Sequence, residues 1–443
     1  MTKIGIISLG CPRNLVDSEV MLGSLRGRGY EISEDVKESE IAIVNTCAFI
    51  EEAKTESIDI ILGLIDLKKR GKIRHIVVAG CLPQRYKEEL KTELAEIDGF
   101  IGTGDIGRID SVIEEILKKG HPFLVSKSPK YIYDHLAARD FITPSHYTYI
   151  KIQEGCANRC SYCVIPDIRG DLRSRPIESI QKEAENLVKR YKVSELNIIG
   201  QDTTHYGHDL YGKQCIAELM ESIARINKAG WTRLLYTHPA HYTDGFIETI
   251  RRERSICRYL DLPIQHINDK ILNRMNRQVT ADSIRSLIEK LRKRIPGLAI
   301  RTTVMVGFPG ETDSAFAELL AFIKEAKFER LGAFIYSNEE GSRSYRFKDQ
   351  VPDKLKKERF DRVMVLQQDI SKENNLAVLG RTLKVLIDEK DGDNPDLYIG
   401  RTEFDAPSVD GSVFVKGEGL KAGDFADVKI TDTLEYDLMG ECE

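Results

Sequence analysis

Gly155-Cys156-Ala157-Asn158-Arg159-Cys160-Ser161-Tyr162-Cys163 places three thiols within eight residues, at the spacing CxxxCxxC. A loop of this length can turn three sulfurs onto one metal centre. A structural zinc takes four protein ligands, and no second CxxC or histidine pair follows at a matching distance. Three thiolates on a four-iron cube leave one iron without a protein ligand. The spacing therefore fits a 4Fe–4S cluster with one open coordination position. The plain alternative is three buried cysteines, because a free thiol behaves as a small hydrophobe. Against it, the loop carries Gly155, Asn158 and Arg159 rather than an apolar run.

The loop follows a β-rich run at 149–152, and similar runs recur at 196–199, 234–236, 259–262, 300–306 and 331–336. Helical patterns fall between them, which predicts about six βα units in a partial (β/α) barrel. Chemistry in such a barrel gathers at the strand C-terminal ends, where the cysteine loop stands. Other polar groups also follow strands: Gly200-Gln201-Asp202-Thr203-Thr204, Thr237-His238-Pro239, Pro263-Ile264-Gln265-His266 and Val306-Gly307-Phe308-Pro309-Gly310-Glu311. Their positions fit a ring of ligand-binding groups around one mouth, and each is also compatible with turn chemistry or helix capping. His238 and His266 read as structural hydrogen-bonding groups rather than zinc ligands. Arg169, Arg173 and Arg175 fit either pairing with a carboxylate or a solvated basic face.

Upstream, strands at Lys3–Ser8, 41–45 and 76–79 alternate with helical patterns, one starting near Asp17-Ser18 and one over Glu51–Lys69. This alternation predicts parallel βαβ units. Cys11, Cys47 and Cys81 each follow one of the three strands. Open parallel sheets bind ligands beyond the carboxyl ends of their strands, so the three thiols are expected to converge on a second cluster, again with one open iron. Gly10 and Gly80 would permit close backbone approach. Gly102 to Gly107 matches GxGxxG, but no acidic residue stands in the ribose position, so a loop is the better reading. Residues 129–145 read as a linker.

After a long amphipathic helix from Asp353, short β-rich runs at 382–387, 397–400, 412–416 and 424–430 predict a small antiparallel barrel. Residues 376–443 hold 7 Lys+Arg against 16 Asp+Glu, a net −9, within a chain of net −5. A barrel that acidic would repel RNA phosphate and attract a basic protein partner.

At 443 residues, 41% hydrophobic and 30% charged, the chain has the make-up of a multidomain globular protein. No apolar run reaches a membrane span, and Met1-Thr2-Lys3-Ile4-Gly5 does not read as a signal peptide. Nine cysteines then suit metal ligation in a reducing cytoplasm. Cys215, Cys257 and Cys442 are spare, with Cys442 expected to be exposed.

The CxxxCxxC loop resembles the signature of the radical S-adenosylmethionine (SAM) enzymes. That resemblance implies reductive cleavage of SAM to a 5′-deoxyadenosyl radical, with Tyr162 beside the adenine and Gln201, Gln265 and Gly307 among the cofactor-binding groups. The whole chain resembles the methylthiotransferases of that superfamily. This implies an α/β multidomain protein: an N-terminal cluster domain over 1–128, a radical SAM partial barrel over 146–375 and a TRAM β-barrel over 376–443. It further implies two 4Fe–4S clusters, on Cys156, Cys160 and Cys163 and on Cys11, Cys47 and Cys81. Leu9-Gly10-Cys11-Pro12-Arg13-Asn14, Arg169-Gly170-Asp171-Leu172 and Gln201-Asp202-Thr203-Thr204 look like the RimO branch, which methylthiolates an aspartate of small-subunit ribosomal protein S-twelve. The implied partners are that basic protein, through the acidic barrel, and a reducing electron donor. Readings from other classes are a tRNA methylthiotransferase and a non-enzymatic iron–sulfur sensor or RNA-binding regulator.

Overall fold

Six parallel strands open the chain, in the order β2-β1-β3-β4-β5-β6. They are β1 (Lys3–Ser8), β2 (Glu31–Ser33), β3 (Ile41–Thr46), β4 (His75–Gly80), β5 (Gly99–Gly102) and β6 (Phe123–Leu124). The computed structural model describes residues 2–394 and 396–442. β3 is buried along its full length, as a central strand covered on both faces must be. One face packs Ala42, Val44 and Val78 against Ile61, Leu64 and Ile65 of α2 (Glu51–Lys69). The other packs Ile41, Ile43 and Val77 against Met21 and Leu25 of α1 (Pro12–Gly27).

α1 starts five residues before the expected capping pair. Pro12 at its first turn fixes φ for helix entry, and Cys11 is the residue before it. Asp17 and Ser18 are buried inside the helix instead.

The central domain is a partial barrel of six parallel strands: β7 (Tyr147–Lys151), then β10 (Glu195–Ile199), β11 (Trp231–Leu234), β12 (Tyr259–Asp261), β13 (Ala299–Val306) and β14 (Arg330–Ile335). Between β7 and β10 a two-residue pairing joins β8 (Gln153–Glu154) to β9 (Arg173–Ser174). A single bridge, Thr232 to Ile256, links the two halves of the arc.

Residues 129–145 are not a loose tether. Tyr133 is buried beneath Arg175, whose guanidinium lies 4.2 Å from the ring centre. Arg139 pairs with Glu19 of α1 at 2.5 Å and with Glu183 of the central domain at 2.6 Å.

A long helix, Asp353–Leu376, leads to a closed barrel of β15 (Thr382–Lys390), β16 (Leu397–Thr402), β17 (Val413–Lys416), β18 (Phe425–Thr433) and β19 (Leu438–Cys442). The sequence reading lacked β19, which closes the barrel by pairing parallel to β17, so the barrel is not purely antiparallel. Cys442 ends that strand, half-buried against the barrel core rather than exposed. Cys215 and Cys257 are buried.

The barrel docks on the strand starts of the central domain. Arg401 pairs with Glu195 at 2.8 Å, Trp231 packs on Phe425, the Tyr259 hydroxyl donates to Asp410, and Arg330 pairs with Asp405 at 2.6 Å. One apolar cluster includes Val16 and Val20 of α1, Tyr149, Ile199 and Leu235 of the partial barrel, and Leu386 and Ala406 of the closed barrel. The three domains therefore share a core.

Candidate metal centres and the cavity between them

β1, β3 and β4 end side by side, with Ser8 beside Asn45 and Thr46 beside Gly80. Cys11 and Cys47 follow at once, and Cys81 opens α3 (Cys81–Glu93). Cys11 and Cys81 thus stand at helix N-termini, where the dipole favours thiolate, but burial outweighs Arg169 and raises the Cys81 pKa. Asn14 donates to the carbonyls of Leu9 and Thr46 at 3.0 and 2.9 Å and ties the first two strand ends together. Gly10 has φ +86°, and a Cβ there would lie 2.9 Å from the Cys47 sulfur, so a side chain would fill the space between the thiols.

Arginines face these sulfurs. Arg13 Nε donates to Cys11 at 3.4 Å, and Arg169 donates to Cys81 at 3.7 Å. Burial acts to raise the Cys11 pKa, but Arg13 and Arg169 outweigh it and bring the thiol below its usual value. Cys47 is pushed up to about 12 by burial and by the charges of Cys81 and Cys11. As thiolates the three would repel one another, and a cationic cluster would remove that repulsion.

In the second triad, Gly155 at φ +69° turns the chain so tightly that a Cβ would stand 2.0 Å from the Asp171 carbonyl. Ser161 anchors the loop by donating to the Met275 and Arg274 carbonyls at 2.9 and 2.8 Å. Arg277 donates to Cys160 at 3.7 Å. Burial and then Asp202 push Cys156 up to about 11, and burial and then Cys160 raise Cys163. Among the described residues all nine cysteines are free. Two convergent sets of three thiols, each with a guanidinium on a sulfur, fit two 4Fe–4S clusters held by three protein ligands apiece.

A cavity opens between the triads. Its walls are Phe49 and Ile50, just past Cys47, with Tyr162 of the loop and Gln265, Met305 and Glu339 from the partial barrel. Tyr162 and Gln265 are the expected cofactor residues that line it. Gln201 instead donates to Glu154 at 3.1 Å. Gly307 has φ +75°, a Cβ there would strike Lys356, and its N–H donates to Glu311 at 2.6 Å.

The three arginines that fit either a carboxylate partner or a solvated basic face make bonds within the protein. Arg169 is buried against Asp17 at 2.7 Å and Glu154 at 3.0 Å, and Lys151 joins the same two carboxylates. Arg175 is buried on Glu183. Arg173 donates to the Asp171 and Arg169 carbonyls. His266 faces Glu311 at 3.2 Å, and His238 caps the turn at Ala240, so both are hydrogen-bonding groups.

Sequence reasoning missed the arginines on the sulfurs. It also missed a clasp in which Arg85 donates to Glu339 and the Ala48 carbonyl, both at 2.8 Å, with Lys54 on the same Glu339. Long-range pairs of this kind leave no periodic trace.

Residues 3–102 match the uncharacterized protein family UPF0004, residues 150–323 the radical SAM superfamily and residues 379–442 the TRAM domain. The chain is 49% identical over 440 residues to the ribosomal protein uS12 methylthiotransferase RimO of Pelotomaculum thermopropionicum, covering 99% of both. It is 47% identical to that of Geobacter sulfurreducens over 99% of this chain and 98% of the other. The chain belongs to the RimO family. As a RimO-family enzyme it is a radical SAM transferase whose cofactors are SAM and 4Fe–4S clusters. In fold the RimO-family chain is similar to TsrM, a radical SAM methyltransferase from Kitasatospora setae, with a TM-score of 0.55 at 14% identity over 75% of this chain and 71% of that one. It is also similar to the cobalamin-dependent radical enzyme OxsB, at 0.51 and 12% over 81% and 56%.

Proposed function

We propose that this chain methylthiolates the β-carbon of an aspartate in small-subunit ribosomal protein uS12. One 4Fe–4S cluster is held by Cys156, Cys160 and Cys163 and the other by Cys11, Cys47 and Cys81. The observation that carries the reading is a cavity lined both by Phe49, two residues past Cys47 of one triad, and by Tyr162, beside Cys163 of the other. When bound, the clusters and SAM supply C–H activation, sulfur and methyl group, chemistry that acid–base side chains cannot perform on an unactivated carbon.

The chain's own residues position and enclose. Tyr162 and Gln265 border the SAM pocket. Gln201 and Gly307 do not line it: Gln201 bonds to Glu154, and Gly307 packs on Lys356 and bonds to Glu311. Phe49, Ile50 and Met305 exclude water. Glu339 is not poised as a base: burial would raise its carboxyl, but Ser337, Arg85 and Lys54 hold it below the usual glutamate range.

The acidic barrel supports a basic protein substrate. Asp388, Asp405 and Asp410 are spent on internal ion pairs. Glu389, Asp393, Asp396, Asp427, Asp432 and Glu441 stay exposed, and these would steer a basic partner. Among the described residues no helix is long and apolar enough to cross a membrane; a cytoplasmic site of action suits the substrate.

The test is an anaerobic assay of reconstituted, reduced protein with SAM, offered uS12 and an adenosine-containing tRNA together and read by mass. Gain of a methylthio group on the uS12 aspartate is the expected result. Gain on the tRNA alone overturns the substrate. Cys11→Ala should still cleave SAM but form no methylthio product, and product from that variant would sink the two-cluster assignment.

A further inference from the structure

Four of the chain's nine histidines stand in two HxxH segments, His205-Tyr206-Gly207-His208 and His238-Pro239-Ala240-His241. The segments follow neighbouring parallel strands, β10 and β11. Short 3-10 turns at Thr203–His205 and Pro239–His241 bring the rings into one row. His208 lies 4.7 Å from His205, His205 stacks on His241 at 4.3 Å, and His241 stacks on His238 at 5.0 Å.

Asp202 lies against this row. It accepts from His241 Nδ1 at 2.7 Å, from Asn158 at 2.7 Å and from Thr204 at 2.6 Å. Asp202, His205 and His241 can each bring one donor atom within 4.8 Å of the other two.

Two observations argue that the row is more than packing. Among the described residues His205 Nδ1 and His238 Nε2 are buried with no hydrogen-bond partner, and His238 is only 4% exposed. Buried polar atoms left without partners are rare and call for an explanation such as an ion. Rings stacked this closely repel if they are charged. Neutral rings avoid that repulsion and keep the lone pair that metal binding needs.

We propose that Asp202, His205 and His241 bind one zinc-class divalent ion through two imidazoles and a carboxylate. Three protein donors leave the fourth zinc position to water, and this donor set makes no redox demand. His208, exposed at the end of the row, leaves an entry path from solvent. The ion fixes Asp202, and Asp202 holds Asn158 between Cys156 and Cys160. The site is therefore a brace for the CxxxCxxC loop, separate from the two thiol triads.

The test uses full-length reconstituted protein given one equivalent of zinc chloride, desalted, and measured for zinc and iron. X-ray absorption at the zinc edge then reads the ligands directly. The expected result is about one zinc per chain beyond the iron, with nitrogen and oxygen neighbours at about 2.0–2.1 Å and an imidazole outer shell. The paired variant H205N/H241N should lose that zinc and keep its iron. Failure of wild type to retain zinc overturns the proposal. So does a sulfur shell at about 2.3 Å, which would place the ion on a cysteine triad, or zinc retention by the variant equal to wild type. Should the variant lose iron as well, the wild-type spectrum alone decides.

Discussion

Arg13 does three things with one side chain. It donates to Cys11 at 3.4 Å and to the Gly200 carbonyl at 2.8 Å, and its guanidinium lies 4.3 Å from the centre of the Tyr236 ring. It thus joins a thiol of the first domain to a strand end of the second. Arg13→Ala should leave the Gly200 carbonyl unpaired and destabilise the fold by about 1–3 kcal/mol, measured by denaturant unfolding. It should also lower the reduction potential of the neighbouring cluster, because hydrogen bonds to cluster sulfurs raise it; a potentiometric titration followed by electron paramagnetic resonance checks this. Gly155→Ala is harsher. Its Cβ would collide with the Asp171 carbonyl, so the loop cannot close, and bound iron should fall by roughly half as one of two clusters is lost. At this scale the spacing picked out two groups of three cysteines, which the fold keeps together, but it was poor about charge. Six cysteines at strand ends announce themselves by spacing. Arg13, Arg169 and Arg277 look like any surface arginine until the fold brings a thiol to each.

Among the elements, the segment that reads as a linker carries a strong tie. Glu183 is buried between Arg139 of that segment and Arg175. Burial alone would raise its carboxyl, but Arg175 and Arg139 hold it below its ordinary 4.5. Its folded pKa lies below the unfolded one, so the stabilisation is complete above about 4.5 and fades as pH falls below that value. Glu183→Gln should cost about 3–5 kcal/mol at neutral pH. The gap from wild type should narrow as unfolding is followed into acid. The closed barrel is held similarly, by Arg330 on Asp405 with bonds of 2.8 and 2.6 Å. Arg330→Ala lies outside the barrel, so the barrel should stay folded but dock about 3–5 kcal/mol less tightly; faster proteolysis at 377–381 would report it. Strands with β-branched runs were legible, as in β3 and β13. β19, Leu438-Met439-Gly440-Glu441-Cys442, was not, because a short strand with a central glycine has little propensity of its own and forms by closing the barrel. The start of α1 was misplaced because Asp17 and Ser18 look like caps, whereas Asp17 is buried as the partner of Arg169 in the central domain and Ser18 accepts from Asn45 of β3.

For the molecule as a whole, two ion-pair ties join the first domain to the partial barrel: Asp17, Lys151, Glu154 and Arg169 form one, and Lys54, Arg85 and Glu339 form the other, in which Glu339 lines the cavity. Glu339→Gln should loosen the second alone, raising hydrogen exchange around Phe49 and the loop after β14 while the first stays protected. The acidic barrel sits at the opposite pole, on the starts of the strands whose ends carry the cysteine loop. Those strands are five to eight residues long where they are longest, a span of roughly 17–27 Å. The enzyme is thereby a caliper. A short peptide that fills the cavity should not also reach the acidic surface, whereas a substrate long enough to span that distance should touch both. Reversing Asp427, Asp432 and Glu441 to lysine should raise KM for the whole protein and leave peptide turnover indifferent to the change. Size, and not the sequence around the aspartate alone, would then select what is modified.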